Sequence, residues 1–185
     1  MSRLAIPVGA DDHVLGRVDA PVTLCEYGDY ECPHCARAHA VTAELLRRRT
    51  NDMRFAFRHF PLRRLHPHAG SAAQAAEAAA SQGQFWPMHS MLFEHQDALE
   101  PEDLLSYARA LDLDVARFAQ ELQGGVHLPR IERDFRSGAR SGVNGTPTFF
   151  VNDERLDGPW DLDVLQGEVT KGAKSQRSEP RAGVT

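Results

Sequence analysis

Two cysteines, Cys32 and Cys35, flank Pro33 and His34. At that spacing the thiols can close a disulfide or take two places around a metal ion. Their flanks favour the disulfide. Upstream, Val22 to Tyr27 is an apolar, strand-like run; downstream, Ala36 to Arg49 reads as a helix. Pro33 falls where the first helical residue belongs, a position at which the missing N–H costs nothing. Cys32 is thereby set at a helix N-terminus, whose partial positive charge favours a thiolate. Cys35 lies one turn inside. The pattern predicts a redox dithiol in which Cys32 is the exposed nucleophile and Cys35 the shielded thiol that attacks Cys32 to resolve a mixed disulfide. A purely structural crosslink fits poorly, because so short a loop restrains the unfolded chain little. A metal-binding module using Cys32, Cys35 and His34 or His39 competes. A structural zinc site normally takes four ligands as two separated pairs, and with three cysteines the chain has no second pair.

Other residues bear on the same chemistry. The His34 imidazole, between the thiols, can stabilise a Cys32 thiolate by charge or hydrogen bonding. Stabilising the reduced form makes the disulfide more oxidising. Glu26 interrupts the apolar strand six residues before Cys32. A buried carboxylate is costly unless it has a partner or a function. It reads either as a proton relay to Cys35 or as a structural acid paired with an arginine. Cys25, the odd thiol, reads as a small buried apolar residue. His59, His66, His68, His89, His95 and His127 show no metal-ligand spacing, and His66-Pro67-His68 reads as loop surface before a lining of the active-site groove. Phe85, Trp86, Met88, Met91, Leu92 and Phe93 read as core before peptide groove.

The elements that must position these residues follow from hydropathy. After an irregular lead-in to Asp12, residues 15–20 read as a turn feeding the central strand at Val22–Tyr27. The following helix shows an apolar stripe at Ala36, Ala40, Ala43 and Leu46, with Val41 and Leu45 beside it. Met53 to Phe60 alternates as a second strand. From Leu65 to Arg140 the pattern is helical throughout, with helices over His68–Gln82, Phe85–Leu99, Pro101–Leu111, Asp114–Leu122 and Leu128–Gly142. A strand returns at Gly145–Val151, with Asn152-Asp153 as a hairpin turn, a short strand within 154–157 and a last helix over Trp160–Val169. The polar remainder reads as a disordered tail, 171–185. Composition sets bounds: 185 residues, 42% hydrophobic, net charge −5, with lysine only at 171 and 174. That balance implies no nucleic-acid affinity, and no stretch has membrane-spanning length. Met1 to Ala10 lacks the pattern of a secretory signal, so a cytoplasmic location is expected.

Val22–Cys35, together with Gly142-Val143-Asn144-Gly145-Thr146-Pro147-Thr148-Phe149-Phe150, resembles the DsbA-like thiol-disulfide oxidoreductases across roughly residues 14–170. Cys-Pro-His-Cys is the dithiol of the DsbA group itself. The resemblance implies an α/β thioredoxin fold with a helical insertion, the thioredoxin-like part being 14–62 and 143–170 and the insertion 63–142. It implies a cis Pro147 that packs on the dithiol and bars metal capture. It also implies a substrate face made by Thr146, Pro147 and Pro33, on which the Thr146 backbone pairs with an extended protein segment. Substrates would be protein thiols or disulfides, recycled by a partner such as the glutathione or thioredoxin system, with no cofactor. Similar domains occur fused to sodium/proton antiporters, where a redox-inert regulatory role is the alternative. Glutathione-using isomerases or transferases of this fold typically carry serine where this chain has Cys32. Two features depart from the pattern: DsbA-like oxidants work outside the cytoplasm, and Cys25 stands where an aliphatic residue is usual. The direction of electron flow stays open.

Overall fold

The apolar run Val22–Gly28 becomes β2, the central strand, and β3 (Met53–His59) lies parallel beside it. Parallel neighbours require a crossover, supplied here by helix α1 (Pro33–Arg48). The computed structural model describes residues 2–49 and 51–178. Among these, the strands form one five-stranded sheet in the order β1-β3-β2-β4-β5. β1 (His13–Gly16) and β4 (Thr148–Val151) run antiparallel to β3 and β2, and β5 (Glu154–Arg155) closes the hairpin with β4.

Between β3 and β4 the chain forms α2 (Ala69–Ala80), α3 (Phe85–Glu94), α4 (Pro101–Ala110), α5 (Val115–Gln123) and α6 (Leu128–Arg140). These helices do not build a core of their own. Leu24, Phe55 and Phe57 of the sheet share one cluster with Ala72 and Ala76 of α2, Met88 and Leu92 of α3, and Phe118 of α5. Alanine fills α2 because the helix is buried on most of its circumference. Small side chains there let neighbouring elements approach closely. On the other sheet face, Gly138 of α6 sits so near Tyr27 and Phe60 that a Cβ would meet their rings at 2.8–2.9 Å.

Three expectations are corrected. Helix α1 buries Cys35, Ala38, Thr42 and Leu45, while Ala40 and Ala43 face solvent. The buried stripe is thus the one that continues from the inner cysteine; small alanines on the opposite face imitated an apolar stripe. The edge strand β1 occupies His13–Gly16, part of which read as lead-in and turn. It is short and only half-apolar, as edge strands often are. The C-terminal helix α7 runs over Leu162–Ser178, well past Val169. Leu165, Val169 and Ala173 are buried at four-residue spacing, and a Cβ on Gly172 would lie 3.1 Å from Val22. The start of the segment read as a tail is therefore helix, to Ser178, packed at Gly172 and Ala173; residues 179–185 lie outside the described residues.

Candidate active site

Cys32 caps helix α1 with extended dihedrals (φ −77°, ψ 120°), and Pro33 takes the first helical turn. Its carbonyl receives the N–H groups of Cys35 and Ala36 at 2.9 and 3.2 Å, which starts the helix. All three cysteines are free thiols. Cys32 is not the exposed residue expected: it is 4% exposed and Cys35 is 0%. The cover comes partly from the 146–147 loop, where Thr146–Pro147 is a cis peptide and the Thr146 carbonyl lies 3.4 Å from Cys32 Sγ.

The two thiols differ sharply in acidity. The Cys32 thiol is lowered to about 5, above all by the hydrogen bond from Cys35. Burial opposes the shift. The Thr146 side chain and the backbone N–H groups of Cys35 and His34 reinforce it. The buried Thr146 hydroxyl has no hydrogen-bond partner among the described residues, so it is free to turn to the sulfur. Cys35 moves the opposite way. Burial raises it first, then its own hydrogen bond to Cys32 and the charge of Glu26. Near neutral pH the pair therefore presents one thiolate and one thiol, the arrangement that thiol-disulfide exchange needs.

His34 is exposed, and its Nδ1 accepts a 2.6 Å hydrogen bond from Arg37. What this residue brings to the sulfur is its backbone N–H. Pro33 is exposed beside it. Glu26 is 1% exposed, in register with Phe57 on β3 and Phe149 on β4. No arginine pairs with it among the described residues, and its Oε1 has no hydrogen-bond partner. Burial, and then the charge of Cys32, raise its carboxyl to about 8. Gly28 makes room for this acid. A Cβ there would lie 2.4 Å from the Phe57 ring and 3.1 Å from Glu26 Oε1.

Asp29 and Gln96, which the sequence did not single out, and His66, which read first as loop surface, hold the site together. Asp29 is 2% exposed. Its carboxylate accepts from the N–H groups of Glu31 and Leu62 and pairs with His66 Nδ1 at 2.8 Å. Its backbone carbonyl accepts the Cys32 N–H at 3.2 Å. His66 is thus tied to the site's floor, whereas it had read as loop surface. Burial works to lower its pKa, but the bond to Asp29 and the charges of Asp29, Cys32 and Glu31 prevail and raise it. Gln96, just beyond α3, donates through Nε2 to the carbonyls of Tyr30 and Cys32 at 2.6 and 2.9 Å. A lone glutamine after a helix carries no local sequence signal. The paired histidines around Pro67 carried one that was read too weakly.

His39 stacks on Phe93 and meets His89 edge-on, so its ring belongs to the helical core. Among the described residues no third Cys, His, Asp or Glu gathers with the two thiols at ligand distance. Cys25 is buried in the cluster on the far sheet face with Tyr27, Phe60 and Phe150, and burial raises its thiol far above the usual range.

Residues 9–171 match the sequence pattern of the family described as thioredoxin. The chain is 48% identical over 181 residues to the Na(+)/H(+) antiporter NhaA 3 of Salinispora tropica, covering 97% of this chain and 28% of that protein. It thus spans little more than a quarter of the length of such curated relatives. Among solved structures it superposes on oxidised BdbD from Bacillus subtilis with a TM-score of 0.84 at 26% identity, covering 94% of this chain and 98% of that one. A thioredoxin-like oxidoreductase from Silicibacter pomeroyi gives 0.80 at 30% identity, covering 90% and 94%. Alpha-DsbA1 of Wolbachia pipientis shares the fold, with 0.79 at 22% identity over 94% and 96%.

Proposed function

Because the chain belongs to the thioredoxin family, in its DsbA-like form, we propose that it is a thiol-disulfide oxidoreductase exchanging disulfides with protein substrates through Cys32 and Cys35. The observation that carries this reading is the split acidity of the pair, with Cys32 lowered to about 5 beside a buried Cys35.

The exchange follows from these positions. With the disulfide closed, a substrate thiolate attacks Cys32 Sγ, and the Cys32–Cys35 bond breaks. Cys35 leaves as a thiolate in a buried setting that disfavours its charge, so it takes a proton. Glu26, raised to about 8, is the neutral acid there at pH 7 and serves as the relay. A second substrate thiol then attacks the mixed disulfide on the substrate sulfur, and Cys32 leaves as its stabilised thiolate. Two electrons pass from the substrate dithiol to the protein; of its two protons one ends on Cys35 by way of Glu26 and the other goes to solvent, because Cys32 stays a thiolate. Run backwards, the same steps reduce a substrate disulfide. Thr146 and Pro147, with Pro33 opposite, receive the extended substrate segment, the Thr146 backbone pairing with it as an added strand. His34 supports the thiolate through its N–H, and its imidazole charge is a further contribution to test.

A stabilised Cys32 thiolate favours the dithiol, so the disulfide belongs at the oxidising end of the scale. The test is the reduction potential of the pair in graded glutathione buffers. A value more positive than about −200 mV is expected. A value near about −270 mV would make the protein a reductase of substrate disulfides and remove the proposed contribution of His34, and no reversible two-thiol transition overturns the reading.

The curated relatives favour a second reading of the same dithiol. In it, the chain acts as a redox-responsive module whose substrate thiols lie on a membrane antiporter. Among the described residues no helix is long and apolar enough to cross a membrane. The proposed compartment is the cytoplasm, with glutathione or the thioredoxin system as recycling partner. Trapping with Cys35→Ser, which stalls the mixed disulfide, separates the readings by what is captured.

A further inference from the structure

The histidines show no ligand spacing along the sequence, yet the fold brings two of them to one point. β1 and β3 pair antiparallel with His13 opposite Phe57, and His59 lies two residues further along β3. His13 and His59 therefore project from the same sheet face as diagonal neighbours. Helix α2 lays Glu77 over that face. Its Oε1 lies 2.7 Å from His13 Nε2 and 2.8 Å from His59 Nε2. The three donor atoms all fall within 4.8 Å of one another. His59 is 1% and Glu77 6% exposed, while His13 at the strand edge keeps a path to solvent.

We propose that His13, His59 and Glu77 form a binding site for a divalent transition-metal ion of the zinc class. Two imidazoles and one carboxylate are a donor set that such ions accept, with the remaining positions left to water. Metal–donor distances of about 2.0–2.2 Å separate neighbouring donors by about 3–3.5 Å. The carboxylate thus needs to withdraw by only about half an ångström from each ring. The bond to Glu77 keeps the His59 proton on Nε2; a bound ion would take that nitrogen and shift the proton to the buried Nδ1, which has no hydrogen-bond partner among the described residues.

The surroundings suit a held cation. Asp134 is 2% exposed and accepts the His59 backbone N–H at 3.3 Å, adding a second buried acid beside the ligands. Arg130 lies 3.9 Å from Glu77 and 3.4 Å from Asp134, so its guanidinium can move fully onto Asp134 when the ion arrives. The ligands come from the edge strand, the second sheet strand and the first inserted helix. A bound ion would fasten all three, apart from the dithiol.

The test titrates zinc into the oxidised chain by calorimetry, so that the closed disulfide keeps Cys32 and Cys35 from taking the metal. One zinc per chain and a higher melting temperature are expected. His13→Ala, at the half-buried strand edge, should weaken binding at least about tenfold and remove the thermal shift. His13→Gln serves if the alanine variant fails to fold. Failure of the oxidised chain to bind zinc overturns the proposal. So does binding that the His13 variant leaves unchanged, or a melting temperature raised by calcium but not by zinc.

Discussion

The side-chain amide of Gln96 donates to the backbone carbonyl of Cys32 at 2.9 Å and to that of Tyr30 at 2.6 Å. The Cys32 carbonyl keeps its helical partners without this contact; the Tyr30 carbonyl has no other hydrogen bond among those described. Gln96→Leu should therefore cost about 1–3 kcal/mol, measured by urea unfolding. Loosening the turn before Cys32 should also raise the thiol, read by thiolate absorbance. Gln96→Glu should do more, because a carboxylate facing two carbonyls repels both. Wild-type values in both variants would show that the inserted helices do not position the nucleophile.

The depressed Cys32 thiol makes the reduced protein pH-sensitive. Its folded value, about 5, lies below the unfolded thiol value of about 8.5. At this thiol the folded state thus binds fewer protons between those values, so its contribution to the stability of the reduced form rises with pH across that window, against the opposite trend from Glu26. The contribution is complete above about 8.5 and is lost as pH falls through 5. The oxidised protein lacks this thiol and should lack the dependence. Melting temperatures of the two forms across this range check the prediction, and parallel curves would contradict it.

Thr146 gives the sulfur a hydroxyl with no other partner among the described residues. Thr146→Val keeps the shape and removes the donor. It should raise the Cys32 thiol and slow its alkylation near pH 6, while alkylation well above the thiol's titration range stays near wild type. A rate lowered equally at every pH would point to blocked access instead.

The sequence made the chemistry legible where local rules apply. Cys32, Pro33 and Cys35 announce themselves because a helix start has a strict grammar, and Glu26 stands out as an acid in an apolar strand. Asp114 was likewise readable, and its side chain accepts the Arg117 N–H as a cap should. Residues that act across the fold were not readable. Asp29, His66 and Gln96 reach the dithiol from three segments, and His13 and His59 meet Glu77 only because β1 pairs with β3. The 146–147 loop, more than a hundred residues away, was placed on the dithiol through the family resemblance alone, and that Cys32 is left only 4% exposed was not read. The end of α7 was a local error: Val169 and Ala173 continue a four-residue stripe that polar neighbours obscured.

Glu26 carries the last prediction. Its carboxyl is raised to about 8, against about 4.3 in an unfolded chain. Here the folded state holds the extra proton, so this group's contribution to stability falls as pH rises from about 4.3 to about 8; it stands alone in the oxidised form and opposes the Cys32 contribution in the reduced one. The change is at most about 1.4 kcal/mol per unit. Glu26→Gln keeps the shape, removes the titration and should flatten that fall, leaving the variant more stable than wild type at pH 8. The same substitution withholds the proton from Cys35, so the steps that charge or discharge Cys35 should slow while attack by Cys32 is little changed. Following mixed-disulfide lifetime and Cys32 alkylation together separates these effects. A stability gain with unchanged resolution would leave Glu26 a buried acid with no relay role. Slower resolution at pH 7 that recovers as pH rises, where hydroxide and buffer bases take the Cys35 proton instead, would establish that role.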